Sequence, residues 1–239
     1  DRLANKALDG GSAHKPEPQI QQNYLSERLR SDEVPTMIYL VRHGETVLTP
    51  MRKFSGTGPL NPELTEKGLS QAAAVAKEIA KLKPEVIVAS PLARTTQTAQ
   101  AIAAATGIEI TFDEIWYELS FGDWDGLSFE EVKENSPDEY QAWLNSSSYA
   151  PGGGESYDEA GVRIESALEK IAAEYPGQRV VVVTHNGVIK LAAQIVTGAP
   201  TQAVFHIDAA PCSITSISIW PSDGLRALRS LNETGHFRA

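Results

Sequence analysis

MIYLVRHGET, residues 37–46, sets the frame: five apolar residues, Met37-Ile38-Tyr39-Leu40-Val41, run directly into Arg42-His43-Gly44. A short run rich in β-branched and aromatic residues that stops at Gly reads as a buried strand breaking into a loop. In an open α/β sheet ligands bind beyond the carboxyl ends of strands, so Arg42 and His43 stand where chemistry is done. The pattern recurs in Val86-Ile87-Val88-Ala89, which ends at Ser90-Pro91, and in Val180-Val181-Val182-Val183-Thr184, which ends at His185-Asn186-Gly187. The four valines are apolar on both faces, as a central strand requires. Further strands are expected at 108–112 and 214–220.

Helical segments separate these strands. Thr65 is placed to cap a helix whose apolar face uses Leu69, Ala72, Ala73, Ala76, Ile79 and Ala80 and which must stop before Pro84. Ser90 followed by Pro91 reads as an N-cap with proline in the first turn, so a helix is expected from there through Ile102. Two more are expected at 157–174 and 187–197. Strand and helix in alternation specify a three-layer α/β/α sandwich around a mainly parallel central sheet.

Composition narrows the class without choosing within it. The 239 residues suffice for one sizeable core, and 41% hydrophobic with 22% charged content is that of a soluble globular domain. No apolar stretch approaches the roughly 20 residues of a spanning helix, so no membrane partner is expected. A net charge of -10 disfavours nonspecific nucleic-acid binding and requires any anion to be held by a local cationic pocket. The lone Cys212 offers neither a disulfide nor a cysteine cluster for metal, which fits a cytoplasmic setting. No metal site and no cofactor are indicated. His206 and Cys212, near the last strand, read as a surface histidine and a small buried cysteine.

Three polar residues fall at matching places: His43 after the first strand, Arg94 just past the second, His185 after the fourth. Helix starts near Ser90 and Asn186 would add N–H groups at the same rim, so phosphate is the natural guest. A neutral imidazole is nucleophilic near pH 7, and a guanidinium presents a fork of donors to phosphate oxygens. Phosphoryl chemistry also needs a proton donor for the leaving oxygen, a role for a carboxyl of raised pKa. Glu118 lies in Trp116-Tyr117-Glu118-Leu119-Ser120-Phe121-Gly122-Asp123-Trp124, where aromatic residues can desolvate it. Asp113, Glu114, Asp123 and Asp125 compete, and composition does not choose among them. The aromatic residues Trp116, Tyr117, Trp124, Trp143, Tyr149 and Tyr157 read as packing rather than as a platform for substrate.

Residues 36 to about 220 resemble the histidine phosphatase superfamily, the branch that includes phosphoglycerate mutase. The matching pieces are VRHGET (41–46), FSG (54–56), LTEKG (64–68), SPLARTTQTA (90–99), ELSFGDWDG (118–126), GGES (153–156) and VVTHNGV (182–188). The resemblance implies a phosphohistidine nucleophile at His43, an acid/base carboxyl at Glu118, and a phosphate pocket of Arg42, Arg94 and a charged His185, with no metal. It also implies substrate contacts at Thr49, Ser55 and Gly56. Thr49 departs from the mutase pattern, which has Asn there, and 126–152 is shorter than the mutase insertion. A trimmed lid admits water and favours hydrolysis over phosphoryl return. The expectation is therefore a metal-independent phosphomonoesterase of acid phosphatase type acting on a small phosphorylated metabolite. The alternatives are a cofactor-dependent phosphoglycerate mutase and a non-catalytic phosphate-ester binding module attached to a nuclease.

The first residues read separately. DRLANKALD (1–9) resembles the end of the last helix of a type I ribonuclease H domain and stops at Gly10-Gly11. With a chain that begins at Asp1 rather than Met, this resembles the bifunctional ribonuclease H/acid phosphatase proteins of actinobacteria. The expected organisation is a ribonuclease H remnant at 1–11, a linker rich in Pro and Gln at 12–35, and a histidine phosphatase domain at 36–239. The linked ribonuclease H domain is then missing from this chain, which would not itself cleave RNA.

Overall fold

Val180 to Val183 are fully buried and alternate between two cores, Val180 and Val182 in one, Val181 and Val183 in the other. They form the middle of a sheet covered on both faces. The computed structural model describes residues 25–238 and divides the chain into 1–31 and 32–239. The readings of 1–11, and of 12–24 in the linker, fall outside the described residues. Within the first unit a single helical turn, α1 (Leu25–Arg28), is described.

The second unit contains β1 (Thr36–Arg42), α2 (Glu66–Lys81), β2 (Val86–Ala89), α3 (Ala93–Thr106), β3 (Ile110–Phe112), α4 (Phe129–Asn135), α5 (Pro137–Asn145), α6 (Tyr157–Glu174), β4 (Arg179–Thr184), α7 (Asn186–Thr197), β5 (Ile214–Ile219) and β6 (Arg226–Glu233). The six strands lie in the order β3-β2-β4-β1-β5-β6. β3, β2, β4 and β1 pair in parallel, while β5 pairs antiparallel with β1 and with β6. The expected mainly parallel α/β/α sandwich is present. Ala72, Val75, Ala76 and Ile79 of α2 join Ala99 and Ile102 of α3 in the core on one face. Ile164 and Leu168 of α6 join Val188 and Leu191 of α7 in the core on the other. No helix among the described residues is long and apolar enough to cross a membrane.

Thr65 caps α2, its hydroxyl accepting from the Gly68 N–H at 3.0 Å. The buried stripe of α2 differs from the expected one. Leu69 is 50% exposed and Ala73 is also exposed, while Gly68 and Val75 are buried. Gly68 sits so close to the next segment that a Cβ would lie 2.1 Å from the Glu45 carbonyl oxygen. That contact turns position 68 inward and rolls Leu69 to solvent.

Ser90 does not cap α3, which begins at Ala93 after an extended Leu92 and runs on to Thr106. Both oxygens of Ser90 are committed elsewhere: its hydroxyl meets His185, and its carbonyl accepts from the Thr95 hydroxyl at 2.6 Å. Besides the turn α1 inside the expected linker, β6, α4 and α5 lie outside the expected elements. β6 is an edge strand of mixed character, and α4 and α5 fill much of 126–152, the segment read as shorter than the mutase insertion. Their starts do carry signals: a capping box between Ser128 and Glu131, and Pro137 in the first turn.

Candidate active site

β1, β4 and β2 end together. Arg42 is in register with Thr184, and Ala89 with Val183, so His43, His185 and Ser90 leave the sheet side by side. The His43 N–H donates to the Thr184 carbonyl at 3.0 Å and the Ser90 N–H to that of Val183 at 3.0 Å. His43 is buried, and its Nδ1 lies 2.7 Å from the Gly44 carbonyl oxygen. A carbonyl only accepts, so Nδ1 carries the proton and Nε2 is the basic, nucleophilic nitrogen. The His43 and His185 ring centroids are 5.4 Å apart. His185 Nε2 lies 2.8 Å from Ser90 Oγ, and its Nδ1 has no partner among the described residues.

Burial, reinforced by Arg94 and Arg42, holds the His43 and His185 pKa values well below the ordinary histidine range. Both shifts favour the neutral ring, in contrast to the charged His185 that the resemblance implies. The guanidiniums supply positive charge whatever the state of the rings. Arg94, fully buried in the first turn of α3, donates from one Nη to the carbonyls of Ser55 at 2.9 Å and Gly56 at 3.3 Å. Its Nε and other Nη have no partner among the described residues, and burial lowers its pKa to about 10, so it stays charged at neutral pH. Arg42 donates to the Ala209 carbonyl at 2.6 Å and leaves its Nε without a partner among the described residues.

Glu118 follows a 3₁₀ turn, Glu114–Trp116, that extends beyond β3. It is 7% exposed; Oε2 accepts from the Gly187 N–H at 3.1 Å, in the first turn of α7, and Oε1 from the Leu119 N–H at 3.0 Å. Burial raises its pKa, opposed by those two N–H groups and by Arg94 and Arg42. Glycine at 187 leaves room for the carboxyl, since a Cβ there would lie 2.6 Å from Oε1 and push it aside. Its competitors are engaged otherwise or lie off the cavity. Asp113 pairs with Lys170 at 2.6 Å, and Asp125 accepts from the Gly56 N–H at 2.7 Å. Of the five candidate carboxyl groups, Glu118 is the one that lines the cavity beside His43.

That cavity, of about 650 Å³, is lined by Arg42, His43, Thr49, Ser55 and Glu118; Arg94 and His185 are fully buried and form no part of its lining. Thr49 spends its hydroxyl locally, accepting from the Thr46 N–H at 3.1 Å. Ser55 Oγ has no partner among the described residues. Gly56 lies off the cavity wall and lets the chain pass the Glu118 loop, for a Cβ there would meet the Leu119 carbonyl oxygen at 2.2 Å. Trp116 and Trp124 are core residues, as read from the sequence, but Trp143 and Tyr157 reach the cavity together with Tyr140 and Phe205. Lys190, Arg52, Lys53 and Asp208 also line it and were missed. For Lys190 a signal existed: it follows Asn186 by four residues and so shares its helix face. Cys212 is fully buried and His206 is exposed.

Among curated proteins, the chain is 32% identical over 246 residues to the Mycobacterium tuberculosis Bifunctional protein Rv2228c, covering 99% of this chain and 66% of that protein. The chain thus spans just under two thirds of that relative's length. It is 37% identical to an Arabidopsis thaliana protein named metal-independent phosphoserine phosphatase, over 69% of this chain and 70% of that one. Among solved structures, mycobacterial glucosyl-3-phosphoglycerate phosphatase complexed with VO3 superposes with a TM-score of 0.76 at 27% identity, over 83% of this chain and all of that one. Residues 38–234 match the family model for branch 1 of the histidine phosphatase superfamily, and with that match the chain belongs to this superfamily.

Proposed function

We propose that this chain is a phosphoric monoester hydrolase of acid phosphatase type, acting on a small phosphorylated metabolite through a phosphohistidine on His43 with Glu118 as general acid and base. One observation carries the reading: a single cavity wall pairs an imidazole held in its nucleophilic tautomer with a carboxyl whose burial favours the protonated form. Superfamily membership and the phosphatase names of relatives support it. In the first step Nε2 attacks phosphorus, the N–P bond forms as the ester P–O bond breaks, and Glu118 gives its proton to the leaving oxygen. In the second, the Glu118 carboxylate takes a proton from water as the water oxygen attacks phosphorus. The P–N bond breaks, its electron pair returns to the imidazole, and phosphate departs.

Arg42 and Arg94 supply the charge that stabilises the transferring oxygens. His185 Nε2 and Ser90 Oγ can share their hydrogen bond in either direction; in the tautomer in which Ser90 donates to Nε2, Nδ1 carries the proton and would be a neutral donor to the same oxygens. Ser55 Oγ supplies a further hydroxyl and Thr49 shapes the wall, while Gly56, behind it, lets the 54–56 segment pass the Glu118 loop. Phosphate release from a panel of phosphomonoesters tests the reading. Wild type should turn over at least one of them, His43→Ala none, and Glu118→Gln should be slower on alkyl esters by about 10²–10⁴-fold. Release that survives His43→Ala would overturn the phosphohistidine route.

We further infer that 1–11 closes a ribonuclease H-like domain, joined through 12–35 to the phosphatase domain of 36–239 in a cytoplasmic protein. The name of the mycobacterial relative, a bifunctional protein, supports the two-domain organisation, and the lone, buried Cys212 supports a reducing compartment. Full-length protein recovered from the cytoplasmic fraction should cleave an RNA–DNA hybrid equally well with and without His43→Ala. Absence of cleavage would remove the fusion reading and leave the phosphatase reading standing.

A further inference from the structure

Residues 117–121 belong to no strand or helix, yet carbonyls on both sides of Glu118 are taken. Arg163, two turns into α6, donates from one Nη to the carbonyls of Ile115 at 2.7 Å and Tyr117 at 3.0 Å. The carbonyl between them, that of Trp116, accepts from the Thr184 hydroxyl at 2.8 Å. On the other side of Glu118, the Ser120 carbonyl accepts from the Glu155 N–H at 2.8 Å. Glu155 and Arg163 are themselves joined by a two-point ion pair, Nε to Oε1 at 3.0 Å and Nη2 to Oε2 at 2.7 Å. Both side chains are largely buried, at 21% exposure for Glu155 and 23% for Arg163. One guanidinium therefore grips the loop just before Glu118 and, through Glu155, just after it.

We propose that Arg163 is a positioning residue for Glu118: with Glu155 it forms a clamp across residues 115–120 that holds the carboxyl where the leaving oxygen of the substrate will be. The proposal rests on the phosphatase reading above. Arg163 lines a second opening that Glu118 also reaches and is absent from the cavity that holds His43, so it touches no substrate there, and its hydrogen bonds lead to the Glu118 loop. The Gly187 N–H fixes one carboxylate oxygen, but a side chain cannot be aimed by its tip if its backbone drifts. The run from Tyr117 to Phe121 has no sheet ladder to prevent drift, and charge-assisted donors to its carbonyls take that place. A displacement of about 1 Å at a reacting group can cost on the order of 10²-fold in rate.

The test separates aiming from folding through the leaving group. An alkyl phosphomonoester needs its leaving oxygen protonated, whereas 2,4-dinitrophenyl phosphate expels a stable phenolate without help. Comparison uses kcat/KM, which reports phosphoryl transfer to His43 and not the later hydrolysis of the phosphoenzyme. Arg163→Met should lower kcat/KM for glycerol phosphate by about 10–100-fold and for the dinitrophenyl ester by no more than about threefold. In a Glu118→Gln background Arg163→Met should cost little further on glycerol phosphate, because the group it aims has gone. Glu155→Gln, which keeps the shape and removes the charge pair, should show the same selective loss in weaker form and gives the readout should Arg163→Met fold poorly. Equal losses on both esters, or no loss on glycerol phosphate, would overturn the clamp. A wild-type protein inert on both esters would instead remove the phosphatase reading on which the clamp depends.

Discussion

At the residue scale the site divides labour by pushing two pKa values apart. Burial and the neighbouring guanidiniums lower His43 from an ordinary value of about 6.5, and burial raises Glu118 from about 4.3. Transfer to His43 requires the imidazole neutral and the carboxyl protonated. As pH falls, His43 remains neutral well below the usual histidine range; as pH rises, Glu118 keeps its proton beyond the usual carboxyl range. The productive form therefore occupies an acidic window, and kcat/KM for an alkyl phosphomonoester should peak on the acid side of neutrality and fall as pH rises through the Glu118 pKa. That basic limb should flatten with 2,4-dinitrophenyl phosphate, which needs no acid. An alkyl-ester profile that climbs through neutrality to a maximum above pH 8 would show that Glu118 is not the proton donor.

At the element scale, what was legible in the sequence is what local rules control. The strands ending at Val41, Ala89 and Thr184 are short runs of buried apolar residues, and the pairing that aligns Arg42 with Thr184 follows once all three lie parallel. Thr65 was readable as a cap because capping depends only on the next few residues. Ser90 defeated the same rule, since a tertiary partner, His185, competes for its hydroxyl. β6 escaped because RALRSLNE has little apolar character, its outer face being unpaired at the sheet edge. The choice of Glu118 over Asp113 and Asp125 also needed space: Lys170 and Gly56 satisfy those two from 57 and 69 residues away. Trp143 and Lys190 became site residues only once α5 and α7 were set around one cavity.

At the scale of the whole 32–239 unit, the fold leaves a cluster of unmet polar groups at the candidate site, apart from others such as Ser218, Trp220 and Ser230 on and beside β5 and β6. Arg94 Nε and one Nη, Arg42 Nε, His185 Nδ1 and Ser55 Oγ are buried without partners among the described residues, and all belong to the candidate site. A buried donor left unpaired costs about 1–3 kcal/mol, more when charged, so this cluster offsets part of the stability gained in the two apolar cores. A tetrahedral oxyanion that met several of these donors at once would recover that cost in the folded state only. Bound at about 100 times its dissociation constant, such a ligand adds about 2.7 kcal/mol, which for a domain of this size raises Tm by roughly 5–10 °C. Inorganic phosphate should produce that shift, chloride at matched ionic strength should not, and Arg94→Lys, which keeps a charge but loses the fork, should abolish most of it. Calorimetry with and without phosphate decides the matter: equal shifts with phosphate and chloride, or an undiminished phosphate shift in Arg94→Lys, would mean that these donors are not what the anion finds.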